Sequence, residues 1–215
     1  MEKLFTNFTY IGQGIGFMLQ LLAGGFAIGT TMGLLLSILR HGKVLAFLVD
    51  RFVSIIRGTP LILQLSFIYF SIPSICGVRL GTLAAGIVAF GVNSSAYVSE
   101  ILRSGIESLP KGQFEAAQTL RIPKYYMWKD IILPQVITNV LPALINEIIA
   151  LLKETAIIAV IGGMDVMRRS QIVAAEQFEY FAPLCIAGVY YYVLVLLIEF
   201  VGRKIEKRRS YAKNS

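Results

Sequence analysis

The sequence predicts an all-α membrane protein with about five transmembrane helices. Three observations carry this. Hydrophobic residues make up 56% and charged residues only 15%, with a mean hydropathy of +0.69. A soluble domain carries about a quarter charged residues, and no small core could hide this much apolar side chain. Five apolar stretches each approach the ~20 residues that cross a bilayer. Between them the basic residues fall mostly on one side. No strand-like alternation or solenoid repeat competes with this reading.

The first stretch runs over roughly 15–39. The preceding MEKLFTNFTY has no basic start, and the stretch is too long for a signal-peptide core and lacks an A-x-A site, so it is expected to stay as a membrane helix. Gly25, Gly29 and Gly33 recur every four residues and share one face. Small residues there admit a second helix closely, from this chain or from another copy. The second stretch covers roughly 52–72, with Arg57 expected to cap it at headgroup level and Pro60 to shape its first turn. The third covers 83–102, the fourth 136–152 and the fifth 183–201. TAIIAVIGG (155–163) is too short to span and is expected to be re-entrant, interfacial or a continuation of the fourth.

Orientation follows from Lys and Arg. The regions after spans one, three and five lie on one side and hold 15 of the 20 basic residues. The positive-inside rule then places the N-terminus outside and the C-terminus in the cytoplasm. The net charge of +7 reads as topology and lipid headgroup contact, not as a nucleic-acid footprint. Cys76 and Cys185 are far apart, with no CxxC and no adjacent His, which argues against a metal or redox site; they read as small apolar fillers, with a disulfide left open. His41 sits in a basic turn and reads as solvated. No cofactor is expected.

Between the third and fourth stretches lies a polar insert, about 103–134. Pro110 suits the first turn of a short helix over about 113–120. Pro123 disfavours helix at Ile122 and can open a second short piece through about 132, after which Pro134 opens the next span. Helices of two or three turns are marginal alone, so the pair needs a docking surface. Ala116 and Ala117 permit close approach, Glu115 offers one charge, and Tyr125, Tyr126 and Trp128 suit a membrane–water interface. On these grounds alone the insert could equally be a simple interfacial connector.

Glu115-Ala116-Ala117 followed by Ile132-Leu133-Pro134 resembles the EAA loop of permease subunits in ABC-type importers. RGTPLILQLSFIY (57–69), NSSAYVSEILRSGIESLPKGQFEAAQTL (93–120) and LPALINEIIALLKETA (141–156) resemble its polar amino acid branch, and the likeness extends over about 14–203. The resemblance implies a type I ABC importer transmembrane domain over 14–205, followed by a basic cytoplasmic tail over 206–215. It also implies a coupling helix that docks in a groove on a separate ATPase subunit, with Glu115, Ala116, Ala117, Arg121 and Pro134 at the coupling site. The other implied partners are an extracytoplasmic solute-binding protein and a second permease subunit, identical or related. The chain has no GxxxxGK[ST] phosphate loop, so ATP hydrolysis is expected on another chain and this one is not an enzyme. The implied cargo is a polar amino acid, with glutamine as a guess. Two positions depart from the family pattern. Arg121 stands where it has Gly, which either costs on the order of 1 kcal/mol or means the turn is built differently, with Pro123 fixing it. Arg121 is expected to face solvent or lipid, or to contact the ATPase. Ala156 stands where Ser is frequent.

Polar groups inside spans face a protein interior or a cavity. Asn93, Ser94, Tyr97, Asn146, Glu147, Glu154 and Thr155 are candidates for the substrate path. A zwitterion needs an acceptor for its ammonium, which Glu147 or Glu154 could supply, and donors for its carboxylate, which Asn and Thr could supply. For each residue, helix–helix hydrogen bonding is the alternative. Glu100 and Glu199 are expected to pair with Arg103 and Arg203. Two other functions compete: an ion-coupled carrier acting alone, against which stand the small span number and the lack of paired half-sequences, and a scaffold that only recruits a soluble partner.

Overall fold

The structure, a computed structural model, describes residues 2–40 and 43–214; His41 lies outside them. The described residues are helical or in short connections. Helices α1 (Glu2–Gly12) and α2 (Gly14–Leu39) follow one another almost without a break. Next come α3 (Lys43–Gly58), α4 (Leu61–Cys76), α5 (Thr82–Glu107) and the short α6 (Lys111–Thr119). A helical run over 124–132 leads into α7 (Leu133–Glu154), which passes into a 3₁₀ segment, Thr155–Ile161. Helices α8 (Val166–Gln177) and α9 (Phe181–Asn214) complete the chain.

The all-helical membrane class holds. On length and apolarity the continuous α1–α2 run, α5 and α9 can each cross a bilayer, and the α3–α4 pair brings the count to four if taken as one span. Helix α7 carries the fourth predicted span. Its 22 residues reach about 33 Å, but it bears Asn139, Asn146, Glu147, Lys153 and Glu154 along its length.

The second predicted span is not one rod. Leu45–Gly58 and Leu61–Cys76 are bent by 102°. Pro60 is extended, with ψ at 136°, because its ring cannot continue the helix before it. Gln64 closes the break: its side-chain amide donates to the carbonyls of Ile56 (2.8 Å) and Thr59 (3.1 Å), acceptors that the ended helix leaves open.

Two π-helical turns, Phe67–Ser71 and Met127–Ile132, each stop two residues before a proline, Pro73 and Pro134. A proline has no N–H for the carbonyl four residues back and its ring crowds that carbonyl, so a wider turn upstream relieves both. Pro134 therefore does not begin a separate helix; the second half of the insert and α7 are continuous.

The main core gathers Met18 and Leu21 of α2, Phe90 of α5, Leu152 of α7 and Ile158 of the 3₁₀ segment. TAIIAVIGG thus continues the fourth predicted span in 3₁₀ form, with Thr155, Ile158, Ala159 and Ile161 buried. The glycine face of α2 lies on α5 of the same chain. A Cβ at Gly25 would sit 3.0 Å from the Cβ of Phe90, and one at Gly33 would sit 2.8 Å from that of Val98. Cys76 and Cys185 are free and exposed. They are not interior fillers, since apolar side chains on a membrane protein need not leave the surface.

Candidate functional site

The polar insert forms an elbow at one end of the bundle. Ala117 of α6 is buried in a cluster with Leu109, Met127, Ile132 and Val136. Phe114 packs edge-on to Trp128 at 6.3 Å. Gln113 and Gln135 exchange side-chain bonds of 2.9 and 2.6 Å, tying α6 to the start of α7. Glu115, Ala116, Leu120 and Arg121 remain exposed, as does Pro134. The two alanines therefore serve different sides: Ala117 lets α6 approach its own chain, and Ala116 stays open outward.

Arg121 has φ of 54°. Its N–H bonds the carbonyl of Gln118 at 2.9 Å, and that of Ile122 bonds the carbonyl of Ala117 at 3.0 Å. Those two bonds define a Schellman end, and Ile122 packs against the cluster that holds Ala117. The left-handed turn is thus retained with an arginine in it. Arg121→Gly is expected to stabilise the elbow by up to about 1 kcal/mol, read as slower backbone hydrogen exchange in Lys111–Thr119. The only other described non-glycine at positive φ is Phe178, at 52°, in the turn between α8 and α9; no feature of the sequence marked it.

Along α5 a row of polar side chains leads to the elbow. Asn93 donates to Gln64 at 3.2 Å, and Ser94 donates to Glu147 at 2.7 Å. The Arg57 guanidinium lies 5.3 Å from the centre of the Tyr97 ring. Nearer the elbow, Asn139 donates to Ser108 at 3.1 Å. A cavity of about 390 Å³ opens here, lined by Arg57, Tyr97, Glu100, Ser104, Ser108 and Asn139. Glu154 lies one helical stretch beyond Glu147, close enough to feel its charge. Thr155 is fully buried and donates to the carbonyl of Leu152 at 2.6 Å. Asn146 is exposed in the single chain.

At the elbow end a larger cavity of about 800 Å³ is bounded by Arg40, Asp50, Glu100, Arg103, Phe114 and Trp128. Glu100 pairs with Arg103 (2.8 Å), as expected, and also with Arg40 (2.6 Å) and Arg57 (3.5 Å). Arg40 reaches Asp50 at 2.9 Å, and Arg103 reaches Glu107 at 2.9 Å. Arg57, at the end of α3, thus meets Glu100 and Tyr97 of α5. Arg203 pairs with Glu199 at 3.5 Å. Sequence reading missed Arg40, Asp50 and Gln64.

At the opposite end Asp165 caps α8, accepting from the Arg168 N–H at 2.8 Å and from the Tyr191 hydroxyl at 3.0 Å. Burial pushes its carboxyl above the usual range, against the pull of these donors.

Residues 25–211 match the family described as binding-protein-dependent transport system inner membrane component. The chain is 46% identical to the putative glutamine transport system permease protein GlnP of Rickettsia typhi, covering 96% of this chain and 95% of that one. It is 43% identical to the arginine transport system permease protein ArtQ of Bacillus subtilis, over 93% and 92% of the two. Among solved structures, a chain of an amino acid ABC transporter crystallised with histidines superposes with a TM-score of 0.87 at 35% identity, over 93% and 94% of the two chains. A chain of the MetNI methionine ABC transporter in an inward-facing conformation shares the fold, with a TM-score of 0.71 at 23% identity and 94% of both chains covered. With the elbow, the polar row of α5 and these likenesses together, the chain belongs to the binding-protein-dependent inner membrane components and is an ABC importer permease for amino acids.

Proposed function

We propose that this permease moves a polar amino acid into the cell, with power from separate ATPase subunits docked on α6 and cargo handed over by an extracytoplasmic solute-binding protein. A second permease subunit completes the path. In this reading the N-terminus is outside and the elbow and C-terminus are cytoplasmic, in accord with the basic residues gathered there. The observation that carries the proposal is the elbow: a two-turn helix held rigidly from inside by Ala117 and Phe114 while Glu115 and Ala116 face outward. A short helix that is firmly supported yet open on one side transmits a push from a docked partner to α5 and α7, which it joins. Pro110 and the left-handed Arg121 bound this helix, and Pro134, exposed in the helical run that follows, is proposed to belong to the same coupling surface.

Asn93, Ser94, Tyr97, Glu147, Glu154 and Thr155 are proposed to flank the path, with Glu147 facing the ammonium of the cargo. Glutamine fits as cargo. The second carboxylate, Glu154, favours a cationic side chain as an alternative, in keeping with a relative named for arginine. Competition of each amino acid against labelled glutamine uptake separates the two.

Glu115→Lys is expected to leave the membrane fold intact and to lower ATPase co-purification about tenfold, since it reverses a charge on the docking face. Wild-type recovery of the ATPase would remove the docking role. Uptake in proteoliposomes by this chain alone, driven by an ion gradient, would overturn the importer reading.

A further inference from the structure

A groove of about 280 Å³ runs between the end of α7, α8 and the first turns of α9. Lys153, Ala156, Met167, Ala187, Gly188 and Tyr191 border it. We propose that this groove binds one anionic glycerophospholipid, with the lipid phosphate on Lys153 and an acyl chain laid against Ala156, Ala187 and Gly188.

The charge argument comes first. Lys153 is exposed, and among the described residues it has no ion-pair partner. Of the neighbouring acids, Glu154 feels the charge of Lys153 but makes no ion pair with it among the described residues, and Asp165 is fully buried with Tyr191 donating to it. An exposed ammonium without an ion pair, beside an apolar groove, is complementary to a phosphate that carries a hydrocarbon tail.

The depth fits. Leu184–Gly188 lie three to seven residues past the start of α9, which is about 5–10 Å along the helix. A lysine at that level can extend its stem along apolar surface and hold its ammonium among headgroups. The groove is also continuous with a bare apolar flank, because Leu184, Val189, Tyr192 and Val193 of α9 are exposed. Its floor is built from small residues, and a Cβ at Gly188 would meet nothing within 4 Å. An acyl chain can therefore lie close to the backbone there, where a larger side chain would take its place.

The test is native mass spectrometry of the full chain, purified in mild detergent and titrated with phosphatidylglycerol or phosphatidylcholine. One phosphatidylglycerol per chain is expected to survive activation that strips phosphatidylcholine. Lys153→Ala is expected to lower that occupancy about tenfold and Lys153→Arg to restore it. Gly188→Leu, which the open space tolerates, is expected to lower it with the lysine intact. Equal retention of the two lipids, unchanged occupancy in Lys153→Ala or Gly188→Leu, or displacement by excess inorganic phosphate would each overturn the proposal, the last by showing a free-anion site.

Discussion

Glu100→Ala is expected to destabilise the chain by about 3 kcal/mol, seen as a lower thermal unfolding midpoint in detergent. The side chain of Glu100 is 17% exposed and meets three arginines. Two of these, Arg57 and Arg103, are nearly half exposed, so water screens them and they contribute little. Arg40 decides the outcome. Its side chain is 12% exposed, and among the described residues its Nε and one terminal nitrogen already lack partners. Removing Glu100 leaves Asp50, a surface group, as its described anionic partner. Stranding one member of a buried pair costs about 3–5 kcal/mol, and Asp50 keeps the loss at the low end. The pair itself is a weak source of stability, so Arg40→Leu with Glu100→Leu is expected to recover most of the loss. A midpoint unchanged in Glu100→Ala would mean that the arginines find other partners.

The parts legible in the sequence were those fixed by local chemistry or by long apolar runs. The approximate extents of α2, α5, α7 and α9 follow from hydropathy, and the elbow from three prolines and a polar interval. Arg121 shows the boundary of such reading. Chain chemistry allows either a strained left-handed residue or a redesigned turn, and only the backbone, at φ of 54°, decides between them. The bend at 58–60 was hidden because apolar character continues on both sides of it, although Pro60 stood there as a break signal. Arg40 and Glu100 meet across 60 residues of sequence, and no local pattern encodes a contact of that reach. The cysteines were misplaced for another reason. In a bilayer an apolar residue can face lipid as readily as a neighbour, so hydropathy does not predict burial as it does in water. The polar row was half legible: membrane cost marks Asn93, Ser94 and Glu147 as inward-facing, but Asn146 is exposed in the single chain and Gln64 joins the row because the broken helix needs a donor.

Gly29→Val is expected to cost more than about 3 kcal/mol. A Cβ at Gly29 would lie 2.6 Å from the Cβ of Ser94 and 2.8 Å from its hydroxyl. Neither is the loose end of a flexible chain, so α2 and α5 must separate. Overpacking of this kind costs about 1–3 kcal/mol, and in lipid it strikes at the term that holds helices together, since close packing replaces the hydrophobic drive of water. A second loss follows at the same atom. Ser94 donates to Glu147 at 2.7 Å, and pushing the hydroxyl aside leaves that half-buried carboxylate short of a donor, for about 1–3 kcal/mol more. Gly16→Val on the same helix meets nothing within 4 Å and is expected to leave the unfolding midpoint near wild type. Gly29→Val should yield little monodisperse protein while Gly16→Val yields as much as wild type. Equal yields and midpoints would show that α2 can slide on α5, and the packing of this pair would then not hold the polar row in register.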